Sequence, residues 1–173
     1  MTPAAADPSG WHVLWTRSHC EEMVQDQLLA KGFHPFLPTL QVWSRRRGKA
    51  HRVSVPMFPG YLFVSDLLDK PAHVEVRKSR GLVGILGQGW DRPAVVPSPE
   101  VEAIRSVVKA QVPALAHPFL REGRRVRIVD GPLRDVEGIL VQSKADRGLV
   151  VLSVELLQRS VAVEVGASTV VPA

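Results

Sequence analysis

Short apolar runs separated by turn residues fill the chain after residue 121, and this pattern constrains the fold more than any other feature. The runs are RRVRIV, EGILVQ, LVVLSVEL and VAVEV, and the segments between them include DGP, ADRG and QRS. Valine-rich runs of this length are typical of β-strands, and Asp130-Gly131-Pro132 provides a tight turn. About five short strands favour a small barrel, because closing the sheet leaves few free edges. We therefore predict an all-β domain over residues 122–173.

The chain before this domain has a mixed β-α-β-β-α-β order. Trp11–Arg17 is an aromatic, valine-containing strand, and Ser18 followed by Glu21 predicts a capping box that opens a helix. The other predicted elements are an extended segment over 34–44, a strand at Tyr61–Ser65, a helix over 71–80 and a strand over 81–87, after which a further helix runs from Ser98 to Ala110. We predict an α+β fold, in which an N-terminal antiparallel sheet flanked by helices is linked to the C-terminal barrel.

These patterns predict four segments. Residues 1–10 are a disordered lead-in, and residues 11–110 are the N-terminal domain. Residues 111–121, with two prolines and no periodicity, are an interdomain linker that leads into the domain over 122–173. The first ten residues lack the basic start and apolar centre of a secretory signal. No stretch approaches the ~20 consecutive apolar residues of a membrane span, so we expect no membrane partner.

Candidate catalytic residues are few. Cys20 is the only cysteine, which excludes an internal disulfide and indicates a reducing, cytoplasmic location. His19 beside Cys20 cannot complete a tetrahedral zinc site, which needs four ligands. A small enzyme that uses Cys20 as a nucleophile is an alternative, but the phosphate-binding and hydrolase motifs are lacking from the sequence. We predict no enzymatic activity, no metal and no cofactor.

The basic excess lies in the N-terminal half. Residues 1–90 contain 11 Lys and Arg against 7 Asp and Glu, a net charge of +4, whereas residues 122–173 contain 7 of each. A basic stretch at Arg45, Arg46, Arg47, Lys49 and Arg52 forms a predicted loop over 44–52. The N-terminal half is therefore the better candidate for contact with a polyanion, and an ordinary solvated basic surface is the alternative.

Aromatic residues concentrate on two predicted strands. Trp11 and Trp15 share one face of the first strand, and Tyr61 and Phe63 share one face of the second. These rings could form the face beneath the helices, and we favour that position for Trp11. For Trp15, Phe58 and Tyr61 we favour an exposed groove, because tyrosine and tryptophan suit a surface that is apolar yet partly hydrated.

Several motifs in order resemble one known family. They are WHVLWTRSHCEEMVQDQL, VWSRRRGK, PMFPGYLFV, RGLVG, DRPAVVPSPEVEAI and EGRRVRIVDGPLRDVEGIL followed by RSVAVEV. From residue 11 to about 171 the chain resembles NusG-type transcription elongation factors, which join an N-terminal NGN domain to an SH3-like β-barrel, the KOW domain. The combination of Phe-Pro-Gly-Tyr with a downstream Gly-Pro turn is more specific than either motif alone.

The resemblance implies a partner for the aromatic groove. In the family this groove binds the clamp helices of RNA polymerase, and this binding suppresses pausing. The residues of this chain that match the groove are Trp15, Phe58, Tyr61, Phe63 and Ile85. The basic loop 45–52 is expected at its rim. His73 matches a position that contacts the opposite side of the polymerase cleft, although this chain has His-Val-Glu where relatives have His-Thr-Thr.

The resemblance also implies nucleic-acid and C-terminal contacts. Arg17, His19 and Arg80 match positions that contact the non-template DNA strand in specialised paralogues such as RfaH, with ordinary surface cations as the alternative. The candidate nucleic-acid-binding residues are these three together with Arg45, Arg46, Arg47 and Lys49. Leu156, Leu157 and Gln158 match the KOW loop that contacts a ribosomal protein or the termination factor Rho.

From these features we expect a monomeric, polymerase-bound elongation and antitermination factor. Leucine in place of the usual aromatic in the KOW loop favours a specialised RfaH-like paralogue over the general factor. The alternative function is that of a ribosome-associated RNA-binding protein acting through its KOW barrel, and the zero net charge of residues 122–173 speaks against it.

Overall fold

The computed structural model describes residues 10–142 and 146–173, so the predicted lead-in lies outside the described residues except for Gly10. The strands are β1 (Gly10–Thr16), β2 (Pro35–Phe36), β3 (Thr39–Arg46), β4 (Lys49–Pro56), β5 (Tyr61–Val64), β6 (Leu82–Ile85), β7 (Val96–Pro97), β8 (Ala114–His117), β9 (Arg124–Ile128), β10 (Glu137–Gln142), β11 (Arg147–Val154), β12 (Arg159–Gly166) and β13 (Val170–Pro172). The helices are α1 (Glu21–Ala30), α2 (Lys70–Arg77) and α3 (Ser98–Ala110). The chain divides into two compact units, one of residues up to Thr39 with Val55–Ser98, the other of Leu40–Ser54 with Pro99–Ala173.

The first unit is built on an antiparallel sheet. Its strand order is β2-β5-β1-β6, and β7 pairs with the start of β1. The central pairing aligns Val13 with Phe63 and Trp15 with Tyr61. Because side chains alternate along a strand, the residues between these pairs face the other side of the sheet. The sheet therefore has two distinct faces along β1 and β5.

One sheet face packs against helices. Leu14, Leu62 and Val64 lie in a buried cluster with residues of α1 and α2, including Val24, Leu28 and Val76. The predicted capping box at α1 is wrong, because the helix begins after Cys20 without a side-chain cap. In α2, by contrast, the Asp69 carboxylate accepts a hydrogen bond from the Ala72 N–H at 2.9 Å. This helix ends at Arg77, before the predicted residue 80.

The opposite face contains a chain of aromatic contacts. Trp11 meets Phe36 edge-on with ring centroids 6.1 Å apart, and Phe36 stacks on Phe63 at 6.2 Å. Phe63 in turn meets Phe58 edge-on at 6.2 Å. Trp11 is buried, as predicted, but it lies on the face opposite α1 and α2 rather than beneath them; the exposed fraction is 2% for Phe58 and 0% for Phe63. These rings are part of the hydrophobic core.

The second unit contains a six-stranded antiparallel sheet in the order β13-β9-β10-β11-β12-β8. Five of its strands lie beyond residue 121, the number that the sequence predicts, and this β-rich region is consistent with a KOW domain. The sixth strand, β8, lies within the predicted linker 111–121, where Leu115 pairs with Ala162 and Ala116 with Val161. Mixed helices and antiparallel sheets confirm the predicted α+β fold class.

Residues 44–52 form a hairpin rather than a loop. Strands β3 and β4 make a separate two-stranded sheet joined by Arg47 and Gly48, which have φ angles of 51° and 76°. Positive φ at both turn residues is the geometry that favours a two-residue hairpin. The sequence analysis predicted an extended chain up to residue 44 and a loop over 44–52, so it missed the end of β3 and the start of β4, where the basic residues conceal the alternating pattern.

Replacing a core ring should affect stability far more than replacing a surface ring. Phe63→Ala would leave a cavity beside Phe36 and Phe58, and we expect it to lower the free energy of unfolding by about 3–5 kcal/mol. Trp15→Ala, at a partly exposed position, should cost less than about 1 kcal/mol. Urea unfolding followed by far-ultraviolet circular dichroism measures both. Equal losses in the two variants would contradict the placement of Phe63 in the core.

Candidate functional site

The Phe58-Pro59-Gly60-Tyr61 segment forms a tight turn before β5. The Tyr61 N–H donates to the Phe58 carbonyl at 3.0 Å, and Gly60 has a φ angle of 86°. Proline followed by a glycine with positive φ is the sequence that a type II turn favours. The proline ring and the hydrogen bond across the turn therefore restrict the backbone here.

Two further hydrogen bonds fix this turn to β1 and α1. The Gly60 N–H donates to Glu21 Oε1 at 2.8 Å, and the Thr16 N–H donates to the Gly60 carbonyl at 2.8 Å. Glu21 is buried, with 5% of its surface exposed. The sequence analysis assigned Glu21 to a helix cap and missed this role, because the two partners are 39 positions apart and only the fold brings them together.

Beside the turn, two of the predicted groove residues reach the surface. Trp15 has an exposed fraction of 46% and pairs with the half-buried Tyr61 on one side and with Gly84 on the other. A Cβ atom placed on Gly84 would meet nothing within 4 Å, so the space beside Trp15 is open there. We call Trp15, Tyr61 and Gly84 the Trp15 patch.

Other predicted groove residues lie elsewhere. Phe58 and Phe63 are buried and support the patch from the core, so their predicted role as exposed contacts is wrong. Ile85 pairs with Leu14 and packs against the helix-side cluster, on the face opposite Trp15. Alternation along β6 accounts for this, since Gly84 occupies the position that faces the patch.

His73 is also buried rather than available to a partner. It lies in α2 with 7% of its surface exposed, and its backbone N–H donates to the Asp69 carbonyl at 2.8 Å. Burial of the imidazole, and secondly the positive charge of Arg77, lower the pKa of His73 below its ordinary value of 6.5. The neighbouring Val74, by contrast, is exposed, with 46% of its surface accessible.

The structure brings the predicted DNA-contacting residues Arg17, His19 and Arg80 to one corner. All three are exposed, and the Arg17 N–H donates to the Gly81 carbonyl at 2.8 Å. The Gln27 side chain fixes Arg80 from α1, donating to its carbonyl and accepting from its N–H, both at 2.9 Å. We call Arg17, His19 and Arg80 the basic corner.

Gly81 makes the close approach at this corner possible. Its φ angle is 89°, and an added Cβ would lie 2.7 Å from Cys20 Cβ. Only glycine tolerates both conditions. Cys20 is thus packed against backbone, and no group of three or more His, Cys, Asp or Glu residues able to hold a metal occurs among the described residues.

In the second unit the predicted partner loop is only partly exposed. A 3-10 turn over Glu155–Leu157 places Leu156 at the surface, with 37% exposed, and buries Leu157. Gln158 has a left-handed φ angle of 52°, and its side-chain amide donates to the Glu155 carbonyl at 2.7 Å. Leu156 and Gln158 are available for contact, whereas Leu157 is a core residue and its predicted contact role is wrong.

Several cations in residues 122–173 of the second unit are paired with carboxylates. Arg127 contacts Glu137 at 2.6 Å and Arg147 contacts Glu164 at 2.8 Å. Hydrogen bonding and charge from Arg127 lower the pKa of Glu137. Residues 122–173 contain 7 Lys and Arg against 7 Asp and Glu, so this part of the second unit has no excess of positive charge.

A cavity of about 620 Å³ in the second unit was not predicted from the sequence. It lies between the start of α3 and strands β10 and β11, and it is lined by both carboxylates and guanidinium groups. Glu100 accepts a hydrogen bond from the Glu155 N–H at 3.3 Å, and burial raises the pKa of Glu100. The mixed charge gives this cavity no preference for a polyanion.

Comparison with known proteins identifies the family. Residues 9–105 match the family described as "Transcription termination factor nusG". The chain is 36% identical over 153 residues to the transcription termination/antitermination protein NusG of Thermus thermophilus, covering 83% of this chain and 82% of that protein. The chain belongs to the NusG family. NusG of Escherichia coli K12 is 30% identical over 136 residues, covering 78% of this chain and 75% of the relative.

A solved structure supports the fold of this NusG-family chain. The structure titled "Domain interaction in Thermotoga maritima NusG" aligns with a TM-score of 0.56 at 21% identity, covering 94% of this chain and 96% of that one. The NusG family is one of transcription factors. The specialised-paralogue assignment stays a prediction. In the described parts of the chain, no helix has the length and apolar character needed to cross a membrane.

Removing the Glu21 carboxylate should loosen the turn beneath the Trp15 patch. Glu21→Ala leaves the partly buried Gly60 N–H without its acceptor, and we expect a loss of about 1–3 kcal/mol in the free energy of unfolding. Glu21→Gln keeps an acceptor oxygen, so its free energy of unfolding should fall clearly less. Urea unfolding of the two variants and the wild type provides the comparison. Equal losses would show that the hydrogen bond to Gly60 is not the source of the effect.

The lowered pKa of His73 predicts a pH-dependent stability. Because the folded protein disfavours protonated His73, the unfolded chain binds more protons as pH falls through about 6.5, and stability should decrease. Above that pH, the stability that depends on neutral His73 is fully present. Urea unfolding at pH 7.5, 6.5 and 5.5 should show a smaller acid-induced loss in His73→Gln than in the wild type. Identical pH profiles would exclude His73 as a source of this dependence.

Proposed function

We propose that this chain is a transcription elongation and antitermination factor that binds the clamp helices of RNA polymerase through the Trp15 patch and suppresses pausing. Membership of the NusG family supports the transcriptional role. The observation behind the proposed contact is the exposed Trp15 paired with Tyr61 over a hydrogen-bonded turn.

The chemistry of the patch suits a helical partner. Trp15 and Tyr61 offer apolar ring surface with polar atoms at the ring edges, which suits a contact surface that is hydrated when free. An amphipathic helix can place its apolar side chains against such rings, because residues three and four positions apart share a face. The turn fixed by Glu21 holds Tyr61 in place before binding, which reduces the entropy lost on association.

Charge separates the remaining contacts of the basic corner and the β3–β4 hairpin from those of residues 122–173. The basic corner and the cations Arg45, Arg46, Arg47 and Lys49 are proposed to contact nucleic acid near the polymerase. Within residues 122–173, ion pairing neutralises several cations, so a protein partner fits this region better than nucleic acid. We assign the exposed Leu156 and Gln158 to contact with a ribosomal protein or Rho.

Two single substitutions test the polymerase contact. Trp15→Ala and Tyr61→Ala should each weaken binding to a peptide hairpin that reproduces the clamp helices by about 2 kcal/mol, as expected for aromatic anchors. Calorimetric titration of the folded, full-length variants measures this loss. In transcription with the host polymerase, both variants should also lose the suppression of pausing.

Trp90→Ala is the matched control, because Trp90 has a similar exposed fraction, 48% against 46% for Trp15, and lies outside the patch. It should bind the hairpin like the wild type. If Trp15→Ala and Tyr61→Ala also bind like the wild type, the patch is not the polymerase contact.

A further inference from the structure

The hairpin of β3 and β4 presents an exposed tryptophan among cations. Trp43 has an exposed fraction of 69%, the same as Leu115 and the highest among the large apolar side chains of the described residues. We propose that this hairpin binds an unpaired nucleic-acid strand by stacking a base on Trp43 and holding the flanking phosphates with arginine, without distinguishing DNA from RNA. The inference deepens the proposed nucleic-acid contact of the hairpin cations and rests on it.

The hairpin geometry places the relevant side chains together. A two-residue turn at Arg47-Gly48 sets Arg46 opposite Lys49, which places Trp43 opposite Arg52 and Arg45 opposite Ala50. The Arg52 guanidinium carbon accordingly lies 5.2 Å from the centroid of the Trp43 ring. We call Trp43, Arg45, Ala50 and Arg52 the Trp43 face. All four residues are exposed.

The cations of this hairpin form no ion pair with a carboxylate of the described residues. The sequence from residue 27 to residue 65 contains no Asp or Glu. Within the described residues, ion pairs with carboxylates involve Arg105, Arg121, Arg125, Arg127, Arg147, Lys78 and His34, and none of the hairpin cations. Unpaired guanidinium and ammonium groups on an exposed ribbon attract a polyanion such as a phosphodiester chain.

The tryptophan points to unpaired bases in particular. Every base has a flat face that can stack on an aromatic ring, but in a duplex those faces are occupied by neighbouring bases. Ala50 opposite Arg45 has only a methyl group, so a base stacked on Trp43 would meet no bulky side chain there. The Arg52 guanidinium against the ring adds a cation–π contact that holds Trp43 in position.

The Trp43 face has little that could recognise a sugar. Its members contribute a ring, a methyl group and guanidinium groups, and none of these side chains can accept a hydrogen bond from a 2′-hydroxyl. We therefore expect a single-stranded DNA and a single-stranded RNA of the same length to bind with affinities within about threefold of each other.

Fluorescence anisotropy with four labelled probes tests the inference on the full-length protein. The probes are a twelve-nucleotide oligothymidylate, the matching oligouridylate, an abasic strand of equal length and a twelve-base-pair duplex. Trp43→Ala should weaken binding to both base-bearing single strands about tenfold. It should leave the abasic strand and the duplex within about twofold of the wild type, because those probes offer no free base.

Three control variants complete the design. Trp43→Phe keeps an aromatic ring and should restore most of the affinity. Trp90→Ala removes another exposed tryptophan that has a cation over its ring, Lys70 at 5.5 Å, and should bind all probes like the wild type. Arg45→Gln should weaken binding to all four probes, and it should reduce the salt dependence of binding by about one phosphate contact.

The outcomes are decisive in either direction. The stacking site would be overturned if Trp43→Ala lost the same affinity for all four probes, lost none, or lost no more than Trp90→Ala. It would also be overturned if the wild-type protein bound neither single strand. If Trp43→Ala lost affinity for only the DNA strand or only the RNA strand, the expectation that the site does not distinguish the two sugars would be overturned. Clamp-hairpin binding by Trp43→Ala, measured in parallel, should remain at the wild-type level, so failure of this inference is separable from failure of the polymerase contact.

Discussion

The hydrogen bond from the Gly60 N–H to the Glu21 carboxylate is the contact on which the Trp15 patch depends. It joins the Phe58–Tyr61 turn to the start of α1, and the Thr16 N–H joins the same turn to the end of β1. Three segments that are distant in sequence are thereby fixed at one point. A surface aromatic held in this way loses little freedom on binding, which favours its use as a recognition element.

Position along the strands separates the two roles of the aromatic residues. Trp11, Val13 and Trp15 share one face of β1, yet Trp11 is buried and Trp15 is largely exposed. Along the paired β5, Phe63 is in the core and Tyr61 borders the surface. The same sheet face thus changes from core to proposed contact surface over two residues, and the buried rings support the exposed ones.

Pairing of charges separates the hairpin from residues 122–173 in a similar way. Net charge already favoured the N-terminal half for nucleic acid, but the structure adds that several arginines of residues 122–173 are bound to carboxylates, whereas none of the hairpin cations pairs with a carboxylate of the described residues. An unpaired cation can attract an anionic partner, whereas the charge of a paired cation is largely neutralised. The hairpin, which the sequence analysis treated as a loop, becomes an ordered ribbon that holds Trp43 beside Arg52.

The sequence by itself determined the fold class, the five strands beyond residue 121 and the Phe58–Tyr61 turn, because these follow from local patterns of apolar, proline and glycine residues. It also indicated which residues gather at the basic corner, through resemblance to a known family. Only the tertiary structure decided that Phe58, Phe63, His73 and Leu157 are buried, that Ile85 faces the helices and that Glu21 holds the turn. Burial and long-range hydrogen bonds depend on which segments meet in space, and neither the spacing of residues nor their chemical type specifies that meeting.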